Sequence, residues 1–451
     1  MDTYHLIGIG GIGMSALARL FMQKGHPVQG SDQKESALIS QLRKEGIFVK
    51  TVHSIENLSS ANIVGYSTDI GNDHIERKEA LRLGLPTFHR SDLLHQCMEE
   101  KKPLLVTGTH GKTTTSALLA HLFVQAKFDP SFAIGGICLN YQTNAKLGSG
   151  DFFIAEADES DGSFLKTPSF GAIVTNLEND HLSYWKTAKH LDSGFKTFFS
   201  QVQETKHLFW CADDFRLRAL SPQGVSYGFS EDADCKISRS LANSQGMKFD
   251  LIIHNHLYSD LEISLLGRHN VLNASAAFAL ALSSGADEEV LRLALRSFQG
   301  TGRRLEWKGE SRDIEIFDDY GHHPTEIRAT ISALRGKRPD RRLIVIFQPH
   351  RYSRAQELLE EFPLAFFDAD LVIMTDIYSA GESPIPLLQT ALYEKMKIQL
   401  GSKLHFFPRS NIERGVSSLL CPNDTVLTIG AGDITHAGGQ ILEKLKEKKN
   451  S

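Results

Sequence analysis

The chain has 451 residues with a formal net charge of −5, and 41% of the residues are hydrophobic. This length predicts about three domains, and the lack of a basic surplus argues against a nucleic-acid-binding protein. The five cysteines are scattered without a CxxC pair, which predicts reduced thiols and argues against a zinc site. The N-terminal residues do not show the basic segment followed by an apolar segment that is typical of a signal peptide. No apolar run approaches the roughly 20 residues that span a bilayer. We therefore expect a cytoplasmic protein that does not insert into membranes.

The N-terminal segment predicts a strand at Tyr4–Ile9, a helix at Met14–Lys24 and a second strand at Val28–Gly30. Glycines in the first turn allow a phosphate group to approach the helix N-terminus, and Asp32 follows about 20 residues later, as a ribose-binding acid does. A Rossmann-like nucleotide site is expected, and its candidate residues are Gly10, Gly11, Ile12, Gly13 and Asp32. A purely structural glycine turn is the alternative.

The strongest signal follows the linker-like residues 99–103 and an apolar strand at Leu104–Val106. Two glycines and a lysine precede a helix, so backbone amides, the helix dipole and an ammonium can surround a phosphate, while a threonine can ligate Mg²⁺. A nucleoside triphosphate site is predicted, with the residues Gly108, Thr109, His110, Gly111, Lys112, Thr113 and Thr114. Only two residues separate the glycines, fewer than in the usual loop, so an ordinary strand-to-helix turn is the alternative.

Acidic residues follow the next predicted strand, Phe152–Ala155. Parallel sheets place ligand-binding residues at such strand ends, and Mg²⁺ prefers carboxylate oxygens. We expect Glu156 to bind the metal together with Thr113. The other acids of this stretch either assist or lie on a solvated loop; they are Asp158, Glu159 and Asp161. His181 follows a further strand and is expected at a second Mg²⁺ or beside the reacting phosphoryl group.

Strands and helices alternate to the end of the chain, which predicts an α/β fold with parallel, doubly wound sheets. Central strands are expected at 172–175 and 207–211, an alternating segment at 249–265 and a helix at 270–283. Later strands are expected at 314–317, 343–347, 371–374, 404–406 and 425–429, and a solvated helix end at 443–449. The predicted domains are a Rossmann-like domain (1–99), a P-loop ATPase-type domain with a mostly parallel sheet (100–300) and a second Rossmann-like domain (301–451).

Two histidine-rich segments, 318–324 and 348–354, each follow an apolar strand of the third domain. The carboxyl ends of strands in an open α/β sheet face the ligand crevice, so both segments are expected in one cleft. Arg351 and Arg354 offer planar donor forks for a carboxylate or phosphate, and the histidines can orient a carboxylate or an amine. The adjacent histidines lack the spacing of common zinc sites.

These motifs together resemble the Mur ligases, the ATP-dependent amide-forming enzymes of peptidoglycan precursor synthesis, over essentially the whole chain. Residues 107–115 look like the family's own variant of the phosphate loop, which accounts for its short spacing. Residues 267–273 resemble its adenine-contact helix, and 302–306 its hinge into the C-terminal domain. Within the family, residues 8–14, 318–324 and 348–354 look like the members that add L-alanine to UDP-N-acetylmuramate.

The resemblance implies one ligand for each domain. The first would hold the UDP moiety, with Ser67, Thr68 and Arg90 as further contacts, although residues 66–70 depart from the two serines of many relatives. The second would hold ATP and Mg²⁺, with Thr113 and Glu156 on one ion and His181 on a second. The implied adenine, phosphate and ribose contacts are His269, Asn270, Asn273, Arg304 and Asp319. The implied residues for the lactyl carboxylate and alanine are Tyr320, His322, His350, Arg351 and Arg354. The implied catalytic set is Lys112, His181, His322, His350, Arg351 and Arg354.

The implied reaction forms an acyl phosphate from the muramoyl carboxylate and ATP, which the alanine amine then attacks. The nearest alternative is the ligase that recycles tripeptide onto the same sugar nucleotide. The arginines of 348–354 argue against it, because free alanine presents a single carboxylate close to its amine. A nicotinamide dehydrogenase would use the first glycine turn but leaves the phosphate loop without a purpose. A GTPase-like switch lacks the Asn-Lys pair that reads guanine.

Overall fold

Three sheets with helices between their strands place the chain in the α/β class, as predicted. The computed structural model describes residues 1–243 and 245–447. Two compact units are present. The first contains Met1–Ser240, Phe249–Ser264 and Val271–Gln299, and the second contains Leu241–Lys248, Leu265–Asn270 and the chain from Gly300 onward.

The first sheet arises from the N-terminal alternation of apolar strands and helices. Its strands are β1 (Tyr4–Ile7), β2 (Val28–Ser31), β3 (Phe48–Lys50), β4 (Ile63–Tyr66) and β5 (Thr87–His89), and its helices are α1 (Ile12–Gln23), α2 (Ala37–Lys44), α3 (Ile75–Arg82) and α4 (Arg90–Met98). All neighbouring strands are parallel in the order β3-β2-β1-β4-β5. The first strand is shorter than predicted because Gly8 takes a φ of 76° and leaves the extended conformation.

The second sheet has ten strands in the order β15-β14-β13-β12-β11-β10-β6-β9-β7-β8. They are β6 (Lys102–Thr107), β7 (Ser131–Cys138), β8 (Thr143–Lys146), β9 (Phe152–Glu156), β10 (Gly171–Val174), β11 (Leu208–Cys211), β12 (Val225–Gly228), β13 (Cys235–Ala242), β14 (Met247–Ile253) and β15 (His256–Ile263). The helices are α5 (Lys112–Gln125), α6 (Leu182–Trp185), α7 (Ala188–Ser200), α8 (Phe215–Leu220), α9 (Arg268–Ser283) and α10 (Glu288–Ser297).

Most of this second sheet is parallel, from β13 through β12, β11, β10, β6 and β9 to β7, whereas β8 pairs antiparallel with β7. The alternating segment predicted at 249–265 forms two strands, β14 and β15. They are joined by His254 and Asn255, which have φ of 50° and 63°, as a two-residue hairpin turn requires.

The third sheet has β16 (Glu306–Ser311), β17 (Ile314–Asp319), β18 (Arg342–Phe347), β19 (Leu371–Met374), β20 (Leu404–Phe406) and β21 (Asp424–Ile429), with α11 (Pro324–Lys337), α12 (Tyr352–Glu357), α13 (Leu388–Leu400), α14 (Ile412–Ser417) and α15 (Thr435–Glu447). The order is β16-β17-β21-β18-β19-β20, and only β16, an edge strand that the sequence analysis missed, is antiparallel to its neighbour among these described strands.

Strand β18 shows why this third sheet is covered on both faces. Leu343, Val345 and Phe347 belong to one buried cluster, and Ile344 and Ile346 to another. Because successive side chains of a strand point to opposite faces, a continuous apolar run fills both cores. The predicted charged helix end belongs to α15, and residues 448 and 449 lie outside the described residues.

Two expectations for the whole chain can be compared with the structure. The five cysteines are free thiols, as their spacing predicted. Among the described residues, no helix has the length and apolarity needed to cross a membrane.

A buried polar contact joins α1 to strand β8. Asn144 is 0% exposed, and its amide nitrogen donates to the carbonyl of Ile12 at 2.6 Å and to Ser15 Oγ at 3.1 Å. Its Oδ1 accepts from the guanidinium of Arg19, which also pairs with Glu45 at 2.7 Å. Each of these groups would lose free energy if it were buried without its partner, so the contact fixes how α1 meets β8.

We expect Asn144→Ala to lower the free energy of unfolding by about 2 kcal/mol or more, because a carbonyl and a guanidinium nitrogen lose their buried partner. Urea unfolding measures the change. Lys146→Ala is the matched control in the same strand. It removes a pair with Asp129 whose side chains are each 43% exposed, and it should cost less than about 1 kcal/mol. Equal losses in the two variants would contradict the role given to Asn144.

Candidate active site

The phosphate loop lies between β6 and α5, as predicted. Gly108 and Gly111 have φ of 122° and 84°, and a Cβ at Gly108 would lie 2.8 Å from the carbonyl oxygen of Asn176. That carbonyl accepts the N–H of Thr109 at 3.1 Å, and the Asn176 Oδ1 accepts the N–H of His110 at 2.8 Å. The segment after β10 therefore holds the loop at the N-terminus of α5, where the helix dipole favours an anion.

Lys112 is buried beside this loop and carries a charge. Its Nζ donates to the carbonyl of Gly108 at 2.6 Å and lies 2.9 Å from Glu159 Oε2. Burial alone would lower the pKa of Lys112, but the carboxylates of Glu159, Asp158 and Glu156 outweigh burial and raise the pKa above its usual value. Glu159 is only 2% exposed. The sequence left open whether Glu159 assists at the site or lies on a solvated loop, and its burial shows that the second possibility is wrong.

Thr113 and Glu156 lie close enough to share a cation. The Thr113 hydroxyl donates to Glu156 Oε2 at 2.9 Å, and the N–H of Gly135 donates to the same oxygen at 3.1 Å. A Cβ at Gly135 would lie 2.8 Å from the carboxyl carbon of Glu156, so glycine there leaves room for this side chain. A hydroxyl and a carboxylate are hard oxygen donors, and the pair fits the predicted Mg²⁺. Thr114, next in α5, is buried.

His181 lies beside the same acidic residues. Its Nε2 is 3.4 Å from Asp180 Oδ2 and 3.8 Å from Glu159 Oε1. The indole N–H of Trp185 donates to the backbone carbonyl of Glu159 at 2.9 Å, which fixes that residue. Lys112 and His181 therefore lie 2.9 Å and 3.8 Å from the buried carboxylate of Glu159.

The predicted residues of the first domain share one edge of the first sheet. They follow β1, β2 and β4 and are Gly10, Gly11, Ile12, Gly13, Asp32, Ser67 and Thr68. The N–H of Gly10 donates to Asp32 Oδ2 at 2.9 Å, which ties the glycine turn to the acid predicted for the ribose. The N-terminus of α1 begins at Ile12, so a phosphate at this turn would meet a positive helix end.

Arg90 and Thr68 contact the acidic loop after β9. Arg90 Nη2 donates to Asp158 Oδ2 at 3.0 Å, and the Thr68 hydroxyl donates to Asp161 Oδ2 at 2.8 Å. Burial would raise the pKa of Asp158, but Lys112 and Arg90 outweigh it and hold the pKa below its usual range. Asp158 and Asp161 therefore link the first sheet to the loop that carries Glu159.

Helix α9 carries the residues predicted for adenine and phosphate. Asn273 is 6% exposed, and its Oδ1 lies 3.0 Å from the Cβ position of Gly111. Asn270 donates to the carbonyl of Leu266 at 2.7 Å, and burial lowers the pKa of His269 to about 4. Among these three, the structure places Asn273 directly beside the phosphate loop.

Asp319 ends β17 and is held by backbone amides. Its two carboxylate oxygens accept the N–H groups of Leu305 and Gly321, each at 2.7 Å. Burial raises the pKa of Asp319 to about 6, opposed by the guanidinium of Arg304. Arg304 and Asp319, which were each expected to contact the nucleotide, are thus electrostatically coupled.

The two histidine-rich segments meet, as predicted. The ring of His322 lies 5.5 Å from that of Tyr320 and 6.0 Å from that of His350. The guanidinium groups of Arg303 and Arg304 lie 4.8 and 5.2 Å from the centre of the Tyr320 ring. A cation beside an aromatic face is favourable, so the tyrosine ring helps to hold both arginines.

Both histidines of this cleft are neutral at physiological pH. Burial lowers the pKa of His322 to about 3, and burial with Arg354 and Arg351 lowers that of His350 to about 4. Arg354 Nη1 lies 3.4 Å from His350 Nδ1. A neutral ring has a free lone pair at one nitrogen, so each histidine can accept a hydrogen bond.

Glu382 is a site residue that the sequence analysis missed. Its Oε1 lies 3.7 Å from Arg351 Nη1, and its carboxylate accepts the N–H of Ser353 at 3.0 Å. It stands in the long connection between β19 and α13, away from any motif or strand end. Glu159 was easier to predict as a site residue than Glu382, because it lies only a few residues after the end of β9.

Comparisons with known proteins agree over the whole chain. Family models match in chain order: the Mur ligase family catalytic domain at residues 3–102, the Mur ligase middle domain at 106–281 and the Mur ligase glutamate ligase domain at 303–432. The UDP-N-acetylmuramate--L-alanine ligase of Protochlamydia amoebophila is 43% identical, covering 99% of each chain.

Two solved structures show the same fold. The UDP-N-acetylmuramate-alanine ligase MurC of Thermotoga maritima is 28% identical with a TM-score of 0.87, over 99% of this chain and 100% of that one. A murein peptide ligase of Psychrobacter arcticus is 23% identical with a TM-score of 0.74, over 99% of each chain. With three family models in order and a full-length relative above 40% identity, the chain belongs to the Mur ligase family.

Proposed function

We propose that this chain joins L-alanine to the lactyl carboxylate of UDP-N-acetylmuramate, with cleavage of ATP to ADP and phosphate. The observation that carries the proposal is the convergence of Lys112, Thr113, Glu156 and His181 around one phosphate loop. Relatives 38–43% identical over nearly the full chain that bear the name UDP-N-acetylmuramate--L-alanine ligase support the choice of substrates. The cytoplasm stays the predicted location.

The central domain binds ATP in this proposal. The loop amides and Lys112 surround the terminal phosphates, and Asn273 contacts the nucleotide beside the loop. Thr113, Glu156 and His181 would hold Mg²⁺, which when bound neutralises phosphate charge. The sugar carboxylate attacks the γ-phosphorus, ADP leaves, and Lys112 stabilises charge on the transferring group.

The third domain supplies the amino acid. Arg351 and Arg354 are always charged and fit a carboxylate with two parallel hydrogen bonds. His322 and His350 are neutral and can accept a hydrogen bond from the alanine ammonium. The ammonium loses its proton to solvent before the amine reacts. The freed amine then attacks the carbonyl carbon of the acyl phosphate, and phosphate leaves to give the amide.

The tripeptide-recycling ligase is the runner-up and is not favoured. The alanine ligase of Protochlamydia amoebophila is 43% identical to this chain, whereas the murein peptide ligase of Psychrobacter arcticus is 23% identical. The hypothesis of a nicotinamide dehydrogenase is less well supported than either ligase, because it gives no role to the charged Lys112 of the phosphate loop.

Phosphate release from ATP and Mg²⁺ in the presence of UDP-N-acetylmuramate tests the function. We expect release to depend on L-alanine and not on the L-Ala-D-Glu-diaminopimelate tripeptide. Release with the tripeptide alone would establish the recycling ligase. Tight ATP binding with neither reaction would show that the family resemblance gives the fold but not the substrates, and NADH binding would favour the dehydrogenase.

Lys112→Ala should lower turnover about 10²-fold or more, because a preorganised charge at the transferring phosphoryl group is lost. The measurement is steady-state phosphate release at saturating substrates. Lys189→Ala, which removes an exposed ammonium on α7, is the control and should retain parental turnover. Turnover of Lys112→Ala within about tenfold of the parent would sink the catalytic role of the loop.

The pKa of His350 predicts a pH effect on stability. An unfolded histidine has a pKa of about 6.5, whereas His350 in the folded chain has a pKa of about 4. The folded state therefore binds the proton less readily, and its stability is present above about pH 6.5 and lost as the pH falls towards about 4.

Between about pH 7.5 and about pH 5, we expect the parent to lose about 1–2 kcal/mol more unfolding free energy than His350→Gln does. Urea unfolding of both proteins at the two pH values gives the difference, in which the pH-independent effect of the substitution cancels. An identical loss in parent and variant would show that the pKa of His350 is not depressed.

A further inference from the structure

A second cluster of metal-ligating side chains lies in the first domain and has no part in the proposed reaction. It consists of His53, His74 and Glu76, and one ligand atom from each lies within 4.8 Å of the other two. His53 follows β3, and His74 and Glu76 stand at the start of α3. The rings of His53 and His74 are 4.4 Å apart, and Glu76 is 0% exposed.

The imidazole ring of His74 makes no hydrogen bond within the part of the chain that the structure describes. Both Nδ1 and Nε2 are buried, and neither has a hydrogen-bond partner there. Burial and the neighbouring His53 lower the pKa of His74, and a neutral imidazole keeps a lone pair at one nitrogen. Leaving such groups unsatisfied is unfavourable, and a bound cation would remove part of that cost.

Glu76 is held as an ion by a surrounding set of donors. Asn57 Nδ2 donates to Glu76 at 2.7 Å and the N–H of Ser54 at 3.0 Å. His5 Nε2 lies 3.2 Å from the carboxylate, while its Nδ1 faces the amide of Gln29 at 3.5 Å. Burial would raise the pKa of Glu76, but the hydrogen bonds outweigh it and lower the pKa to about 2.

Such an arrangement is typical of a metal site, in which outer hydrogen bonds orient the ligands. Ser31 Oγ contacts Glu76 and lies 2.9 Å from His53 Nδ1, and it would turn away from that nitrogen when a metal ion binds there. Two imidazoles and a carboxylate are the donor set that suits Zn²⁺ and its neighbours in the transition series, whereas Mg²⁺ takes oxygen ligands.

We propose that His53, His74 and Glu76 bind a divalent transition-metal ion of the Zn²⁺ class, with a fourth position left for water or another ligand. Metal–ligand distances of about 2.0–2.2 Å place tetrahedral ligand atoms roughly 3.4 Å apart. His53 Nδ1 and Glu76 Oε2 already stand 3.5 Å apart. Closing the remaining ligand spacings needs a shift of about 1 Å or a little more at the His74 ring.

Zinc binding to the full chain tests the site, in competition with a chromogenic zinc chelator. His181→Ala serves as the background, because it removes a ligand of the proposed active-site metal. We expect one Zn²⁺ per chain in this background, and at least tenfold weaker binding when His74→Ala is added. His254→Ala, which removes an exposed histidine of the β14–β15 turn, is the matched control and should leave the affinity unchanged.

Thermal unfolding gives a second readout that does not depend on activity. Zn²⁺ should raise the unfolding midpoint of the background protein and of the His254→Ala control, but not that of the His74→Ala variant, because only folded chains with the site gain binding free energy. If His74→Ala does not fold, His53→Gln takes its place in both measurements. Absence of micromolar zinc binding in the background protein, or equal binding in the His74 and His254 variants, would overturn the proposal.

Discussion

A lysine ammonium buried at the start of α5 is the constraint on which the central domain depends. A charge removed from water must be compensated by partners with good geometry, and Lys112 meets that demand with Glu159 and nearby acids. Those acids bring their own requirements: Asp158 needs Arg90, and Glu159 is fixed through Trp185. The charge of Lys112 thus helps to position side chains that follow strands of both the first and the second sheet.

The third domain has a cleft in which charged and neutral side chains lie side by side. Its cleft combines guanidinium groups, which remain charged at any physiological pH, with histidines that burial keeps neutral. Permanent cations and neutral bases side by side can treat the two ends of an amino acid differently. Glu382 offsets part of the positive charge of Arg351.

The sequence was informative where the signal is local. Strand, glycine turn and helix follow one another along the chain, so the phosphate loop, the first-domain turn and the parallel sheets could all be predicted. The meeting of residues 318–324 and 348–354 was also foreseen, because parallel strands bring their carboxyl ends to one edge. Strand ends shifted where a residue such as Gly8 leaves the extended conformation.

What escaped the sequence depends on contacts between distant segments. Glu382 and Asn144 act through partners far along the chain, and no spacing rule connects them. The same holds for His74, whose neighbours are His53, which follows β3, and Glu76, at the start of α3. The edge strand β16 lacks a strong apolar alternation, because none of its residues is buried.

Two residues at the candidate active site occupy a backbone conformation that only glycine adopts freely. His181 and Arg351 have φ of 58° and 67°, and side chains with a Cβ pay for that region with about 1–3 kcal/mol of strain. If stability alone decided which residue stood there, glycine would be favoured at both positions. Glycine at either place would relieve that strain, but it would also remove the imidazole or the guanidinium that the proposed reaction uses.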